Sequence, residues 1–160
     1  MRVRKYANRD VPAMIDIWNE VIEEGMAFPQ EEPLDARGGE DFFAAQTYCG
    51  IAVDFGGNIH GLYTLHPNNE GRCGHIANAS FAVRSSSRNQ KAGQDLVNDC
   101  LKVAKEKGFT IMQFNAVVEN NEPARHIYEK LGFKELGTIP GGFKLKDGSF
   151  ANIVQYYREL

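Results

Sequence analysis

The sequence predicts an α+β fold: a mixed, mostly antiparallel sheet of about seven strands flanked by about four helices. Three observations carry that expectation. Strand-like segments in the first half are separated by short Gly-, Asn- and Pro-rich breaks. Two amphipathic helices in the second half alternate with apolar strands. The resulting order, β-α-(α)-β-β-β-α-β-α-β-β, joins an antiparallel run to a β-α-β-α-β stretch, which makes the sheet mixed.

Taken in order, Met1–Ala7 reads as a strand. Asp10 is a candidate N-cap, with Pro12 in the first turn behind it. Val11, Met14, Ile15, Trp18, Val21 and Ile22 recur at helical spacing to about Glu24, and Gly25 stops the helix. Met26–Gly39 holds Pro29, Pro33 and a terminal glycine pair, so it reads as a loop, with a short helix near Asp41–Ala45. Tyr48–Phe55 and Ile59–His66 are strands about the turn Gly56-Gly57-Asn58. Pro67–Gly71 breaks the chain, and Cys73–Val83 is the next strand. Gly93–Lys107 is a helix with Leu96, Val97, Cys100, Leu101 and Ala104 on one face, ended by Gly108. Phe109–Val118 is an apolar strand. Asn121 caps a helix with the stripe Ala124, Ile127, Tyr128 and Leu131, ended by Gly132. Phe133–Gly137 and Phe150–Tyr157 are the last strands, with a turn at Lys146–Ser149.

At 160 residues the chain suits one domain, residues 1–160, with a substantial core. A formal charge of −3 gives no reason to expect nucleic acid or an anionic membrane as partner. No apolar run reaches the ~20 residues that span a bilayer. The start Met1-Arg2-Val3-Arg4-Lys5-Tyr6 has no apolar core of a signal peptide, so a cytoplasmic location is expected. Cys49, Cys73 and Cys100 share no metal-ligand spacing, and no metal is expected. They read as three buried thiols in a reducing compartment.

Two segments carry chemistry. In Val83-Arg84-Ser85-Ser86-Ser87-Arg88-Asn89-Gln90-Lys91-Ala92-Gly93 a strand runs directly into a helix. Free N–H groups and the dipole at such a helix start form an anion site. In Asn121-Glu122-Pro123-Ala124-Arg125-His126-Ile127-Tyr128, followed by Glu129-Lys130-Leu131-Gly132-Phe133, the cap and Tyr128 lie two turns apart on one face.

Together these segments resemble the cofactor-binding core of the GNAT superfamily of N-acetyltransferases. The resemblance implies a GNAT-type acyl-CoA N-acyltransferase fold, acetyl-CoA as cofactor, and acetyl transfer to an amine. It places the pyrophosphate on a loop of the form Arg/Gln-x-x-Gly-x-Gly/Ala. Arg88 and Gly93 fit, while Lys91 stands where glycine is usual. Two readings of Lys91 are open: an ordinary negative-φ conformation that adds charge near phosphate, which is the favoured expectation, or a distorted loop that binds the cofactor weakly. Asn89, Gln90, Ala92 and Gln94 complete the implied cradle. Phe81, Ala82 and Val83 would pair with the pantetheine arm through their backbone. Asn121 would reach the cofactor's amides, and Tyr128 would protonate the leaving thiolate.

His75-Ile76-Ala77-Asn78-Ala79-Ser80-Phe81 and Phe114-Asn115-Ala116-Val117-Val118-Glu119-Asn120-Asn121 look like the fungal proline-analogue (azetidine-2-carboxylate) acetyltransferases. So does Pro29-Gln30-Glu31-Glu32-Pro33. By that resemblance Asn78 and Asn115 flank the transfer point and hydrogen-bond the acceptor's carboxylate or the reacting carbonyl. The fungal group carries tryptophan at the position of Tyr128, so the two resemblances disagree about the acid. No strand glutamate offers itself as the base; Glu119, His75 or a water chain is left. Glu31, Glu32, Asp35, Glu40 and Asp41 are most simply solvated surface.

The reading is an acetyl-CoA-dependent N-acetyltransferase acting on a small amine, with a homodimer expected only from the family. An acyl-CoA sensor without turnover, motivated by Lys91 and the missing strand glutamate, and a protein or peptide N-acetyltransferase are the alternatives.

Overall fold

A computed structural model describes residues 1–160. In chain order the elements are β1 (Arg2–Lys5), α1 (Val11–Glu24), α2 (Ala36–Ala44), β2 (Tyr48–Val53), β3 (Ile59–Pro67) and β4 (Ile76–Val83). Then come α3 (Ala92–Glu106), β5 (Ile111–Val118), α4 (Glu122–Lys130), β6 (Lys134–Lys144) and β7 (Phe150–Glu159). The strands form one seven-stranded sheet in the order β1-β2-β3-β4-β5-β7-β6. Every pairing is antiparallel except β4 with β5, as a helical crossover requires. No helix is long and apolar enough to cross a membrane.

Strand alternation divides the apolar residues between two layers. On one face α1 lays Met14, Ile17, Trp18 and Val21 on Ile51, Leu62 and Ala82, and Phe43 of α2 joins them. On the other, Leu96, Val97, Cys100 and Ala104 of α3 meet Ala52, Tyr63, Leu65 and Ala77. Gly50 lies beneath the Tyr63 ring; a Cβ there would stand 2.3 Å from Tyr63 Cε1.

Several expectations need correction. The second helix starts at Ala36, inside the segment read as loop. Asp35 caps it by accepting from Gly38 N–H (2.6 Å), and Gly39 lets it close on α1, where a Cβ would meet Ile15 at 2.4 Å. The glycine pair that argued against a helix is what allows its packing. β4 begins at Ile76, because Gly71–Cys73 is a 3-10 turn. β5 begins at Ile111, and β6 runs on to Lys144 past two register shifts. Cys73 is exposed on its turn; only Cys49 and Cys100 are buried. Burial pushes the Cys49 thiol up to about 12 and raises Cys100 as well, which leaves both inert at neutral pH.

Asp10 precedes α1 but does not cap it with its side chain. Its carboxylate takes both guanidinium nitrogens of Arg4 (2.8 and 3.1 Å) and the Ala7 N–H (2.7 Å). That ties β1 to the entry of α1. Arg4 holds the Asp10 carboxyl below its ordinary range. Asp10→Asn should therefore lower the unfolding free energy at pH 7 by about 2 kcal/mol, measured by urea denaturation. A lowered carboxyl pKa contributes stability above its unfolded value of about 4 and loses it as pH falls through the folded value. The stability gap between the two proteins should close toward acid pH.

Candidate functional site

β4 and β5 are paired only at Ile76↔Ile111 and Ala77↔Met112. Beyond those residues each strand stays bonded to its outer neighbour, β4 to β3 and β5 to β7, while the two part company. The β5-facing backbone of β4 from Asn78 onward has no ladder partner. Phe81, Ala82 and Val83 lie along this open edge. Phe81 and Val83 lean on the α3 layer and Ala82 on the α1 layer.

The split ends at the start of α3. The helix begins with Lys91 as N-cap and no side-chain cap. α2 and α4 differ, since Asp35 and Asn121 cap them by accepting from Gly38 and Ala124 N–H. Asn89 and Lys91 both stand at φ +66. Lys91 therefore takes the left-handed conformation itself, against the expectation of negative φ. The chain must turn from β4 into α3 here whatever residue fills the position, and a non-glycine residue in that conformation costs about 1–2 kcal/mol. From Asn89 through Gln94 no backbone N–H has an acceptor within the protein; the first helical bond is Asp95 N–H to Lys91 C=O (3.0 Å). Six consecutive free donors around two left-handed residues form a concave anion cradle with the helix dipole behind it. The donor set fits a diphosphate. Gly93 keeps the cradle close to α4, since a Cβ would lie 3.3 Å from Ile127 Cδ1. Arg88 is turned onto Glu24 of α1 (2.5 Å), and Gln94 Oε1 accepts from Lys130.

Tyr128 reaches the split from the α3/α4 layer. Its ring packs on Phe114 (4.5 Å between centroids), Phe133 (5.5 Å) and Phe81 (6.3 Å). No protein group bonds its hydroxyl, and that oxygen is not among the fully buried unpartnered atoms. It is thus a free phenol at the rim of an aromatic wall. Burial raises its pKa. The phenol stays neutral and available as a donor at physiological pH.

The amides come from the opposite layer. Asn78 alternates with the buried Ala77 and Ala79 and so points away from α3. Asn115 sits in a β-bulge, where Asn115 and Ala116 are inserted between Phe114↔Tyr156 and Val117↔Val154. Sequence reasoning missed the residue that joins them. Asn68 Oδ1, from the turn after β3, accepts from Asn78 Nδ2 (3.1 Å) and Asn115 Nδ2 (2.7 Å). Asn78 Oδ1 is taken by Ala79 N–H (2.7 Å) and Asn115 Oδ1 by Gln113 Nε2 (3.0 Å). Each amide therefore spends one N–H internally and keeps one free. Both Nδ2 atoms lie within hydrogen-bond distance of one oxygen, so the two amides, each with a free donor, stand side by side. Of the base candidates, His75 is exposed, and Glu119 is half-buried at the end of β5. No cluster of His, Cys, Asp or Glu is arranged to hold a metal ion.

The acetyltransferase (GNAT) family model matches residues 14–133, and the chain belongs to that family. The N-acetyltransferase aca1 of Schizosaccharomyces pombe is 29% identical over 144 residues, covering 80% of this chain and 69% of that protein. A GCN5-related N-acetyltransferase from Kribbella flavida superposes with a TM-score of 0.93 at 29% identity, over 99% of this chain and 97% of that one. A phosphinothricin acetyltransferase from Sinorhizobium meliloti, solved in complex with acetyl-CoA, shares the fold with a TM-score of 0.92 at 18% identity, over 99% and 88% of the two chains.

Glycine carries no steric penalty at positive φ. Lys91→Gly should therefore raise stability by about 0.5–1 kcal/mol, read as a higher thermal midpoint. An unchanged or lowered midpoint would mean that the Lys91 side chain makes a compensating contact.

Proposed function

We propose that the chain is an N-acetyltransferase that moves the acetyl group of acetyl-CoA to the amine of a small, amino- or imino-acid-like acceptor. The whole chain, residues 1–160, would act as one acetyltransferase domain in the cytoplasm, with a homodimer suggested by the family alone. The observation that carries the reading is the run of free N–H groups from Asn89 to Gln94 at the mouth of the β4–β5 split. A diphosphate suits the first and an extended amide-bearing arm suits the second. The acetyl-CoA complex of the Sinorhizobium meliloti relative supports the same cofactor here.

The acceptor amine attacks the thioester carbonyl directly. Held on opposite sides of the split, the reactants lose little further freedom on the way to reaction, and proximity supplies much of the rate. The N–H groups that Asn78 and Asn115 do not spend on Asn68 would serve the acceptor, holding a carboxylate or the developing oxyanion without a fixed charge. As the carbon–sulfur bond breaks, Tyr128 donates its phenolic proton or a hydrogen bond to the leaving thiolate. The acceptor's proton leaves to water or to Glu119. A cradle of free N–H groups, rather than side chains, accounts for cofactor binding without the glycine usual at Lys91. That answers one of the two grounds for a silent sensor, the departure at Lys91; the other, the lack of a strand glutamate, stands. Neutral amides on the acceptor side fit an amino or imino acid like the substrates of the fungal group; the Schizosaccharomyces pombe relative supports a fungal N-acetyltransferase likeness, without naming an acceptor.

A thiol-release assay with acetyl-CoA against amino acids, imino acids, polyamines and short peptides tests this. Turnover is expected on a small amine bearing a carboxylate. Asn78→Ala should cut kcat/KM for it roughly ten- to hundredfold. Tyr128→Phe should cut kcat about a hundredfold or more. Turnover confined to peptides would transfer the reading to a peptide acetylase, and binding without any turnover would favour the sensor.

A further inference from the structure

Away from the split, a second polar chain ties together three segments distant in sequence. His60 of β3 places Nδ1 2.6 Å from Ser87 Oγ and Nε2 2.7 Å from Asp54 Oδ2. Ser87 is buried at the end of the 3-10 turn Ser85–Ser87, immediately before the anion cradle. Asp54 is fixed in the β2–β3 turn, where its oxygens accept from Gly56 N–H, Asn58 N–H and Asn58 Nδ2. His60 first, and then Asn58, hold its carboxyl far below the ordinary range. Asp54 is thus an acceptor only, and His60 Nε2 carries the proton that reaches it. In the neutral ring Nδ1 is then an acceptor, and the Ser87 hydroxyl donates to it. Ser, His and Asp are the residue types of a hydrolytic triad, but Ser87 is 3% exposed and leaves a carbonyl substrate no approach. It serves as an anchor.

The same turn is held from α1. Ser85 N–H donates to Glu20 Oε1 (2.5 Å), and Arg88 pairs with Glu24 one helical turn on. The segment Ser85–Arg88 is therefore clamped from both sides immediately before the two left-handed residues that aim the free N–H groups.

We propose that His60 is a positioning residue for the diphosphate of the cofactor. Through Ser87 it fixes the turn that aims the Asn89–Gln94 donors, and Asp54 sets its tautomer. The inference rests on the reading that acetyl-CoA binds this cradle, and on nothing about the acceptor.

Asparagine and glutamine isosteres separate the two ring contacts. An asparagine amide overlays Nδ1 and keeps an acceptor for Ser87, whereas a glutamine amide overlays Nε2 and keeps only Asp54. Calorimetric titration with coenzyme A is expected to show binding roughly three- to tenfold weaker for His60→Gln and Ser87→Ala. His60→Asn should bind like wild type. The kcat at saturating acetyl-CoA should be unchanged in all three, and thermal melts confirm that each is folded. Equal weakening in both His60 variants, or wild-type affinity in Ser87→Ala, overturns the proposal. A wild-type protein that does not bind coenzyme A overturns the cofactor reading, and this inference with it.

Discussion

The structure turns on a single broken pairing. After Ala77 and Met112 the only parallel ladder in the sheet ends, and two central strands separate with their outer partners intact. Backbone donors and acceptors left inside a fold must find partners, so an opened sheet is tolerated only where water or a ligand can supply them. An extended chain that carries its own amides can do so as an added strand. Everything assigned to the site lies along this opening or at its ends.

The two layers of core keep the opening in place and load it from both sides. The α3/α4 layer brings the Phe114, Phe133 and Tyr128 rings to one rim. The other layer brings three asparagine amides from a turn, a strand and a bulge to the opposite rim. Between them, the uncapped start of α3 supplies a row of N–H groups. The chain caps α2 and α4 with side chains but leaves α3 open, and it tolerates two non-glycine residues at positive φ to do so. Local stability is given up at the point where an anion would restore it.

What was legible beforehand follows from the range of each signal. Helical stripes and caps are local, so α1, α3, α4, the Asn121 cap and the position of Tyr128 on its stripe could be read directly. The start of α2 is hidden because Gly38 and Gly39 lower helix propensity, while the benefit of Gly39, close approach to Ile15, is tertiary. The left-handed conformation of Lys91 is signalled only by the resemblance, which puts glycine at that position; the lysine itself carries no sign of it, because the need belongs to the turn and not to the side chain. Asn68 looked like one more turn residue. Its role arises from hydrogen bonds to residues 10 and 47 positions away, and the aim of Asn115 depends on a bulge that strand alternation does not show. The link between His60 and Ser87 is hidden for the same reason, the two being 27 positions apart.

The central claim is that a coenzyme A thioester fills the opening, with its diphosphate on the start of α3. Backbone amide NMR of the labelled protein, titrated with coenzyme A, tests it most directly. The account predicts the largest shifts at the amides of Asn89–Gln94, with a second set along Phe81–Val83. Shifts confined to other parts of the sheet, or no shifts at all, would contradict it.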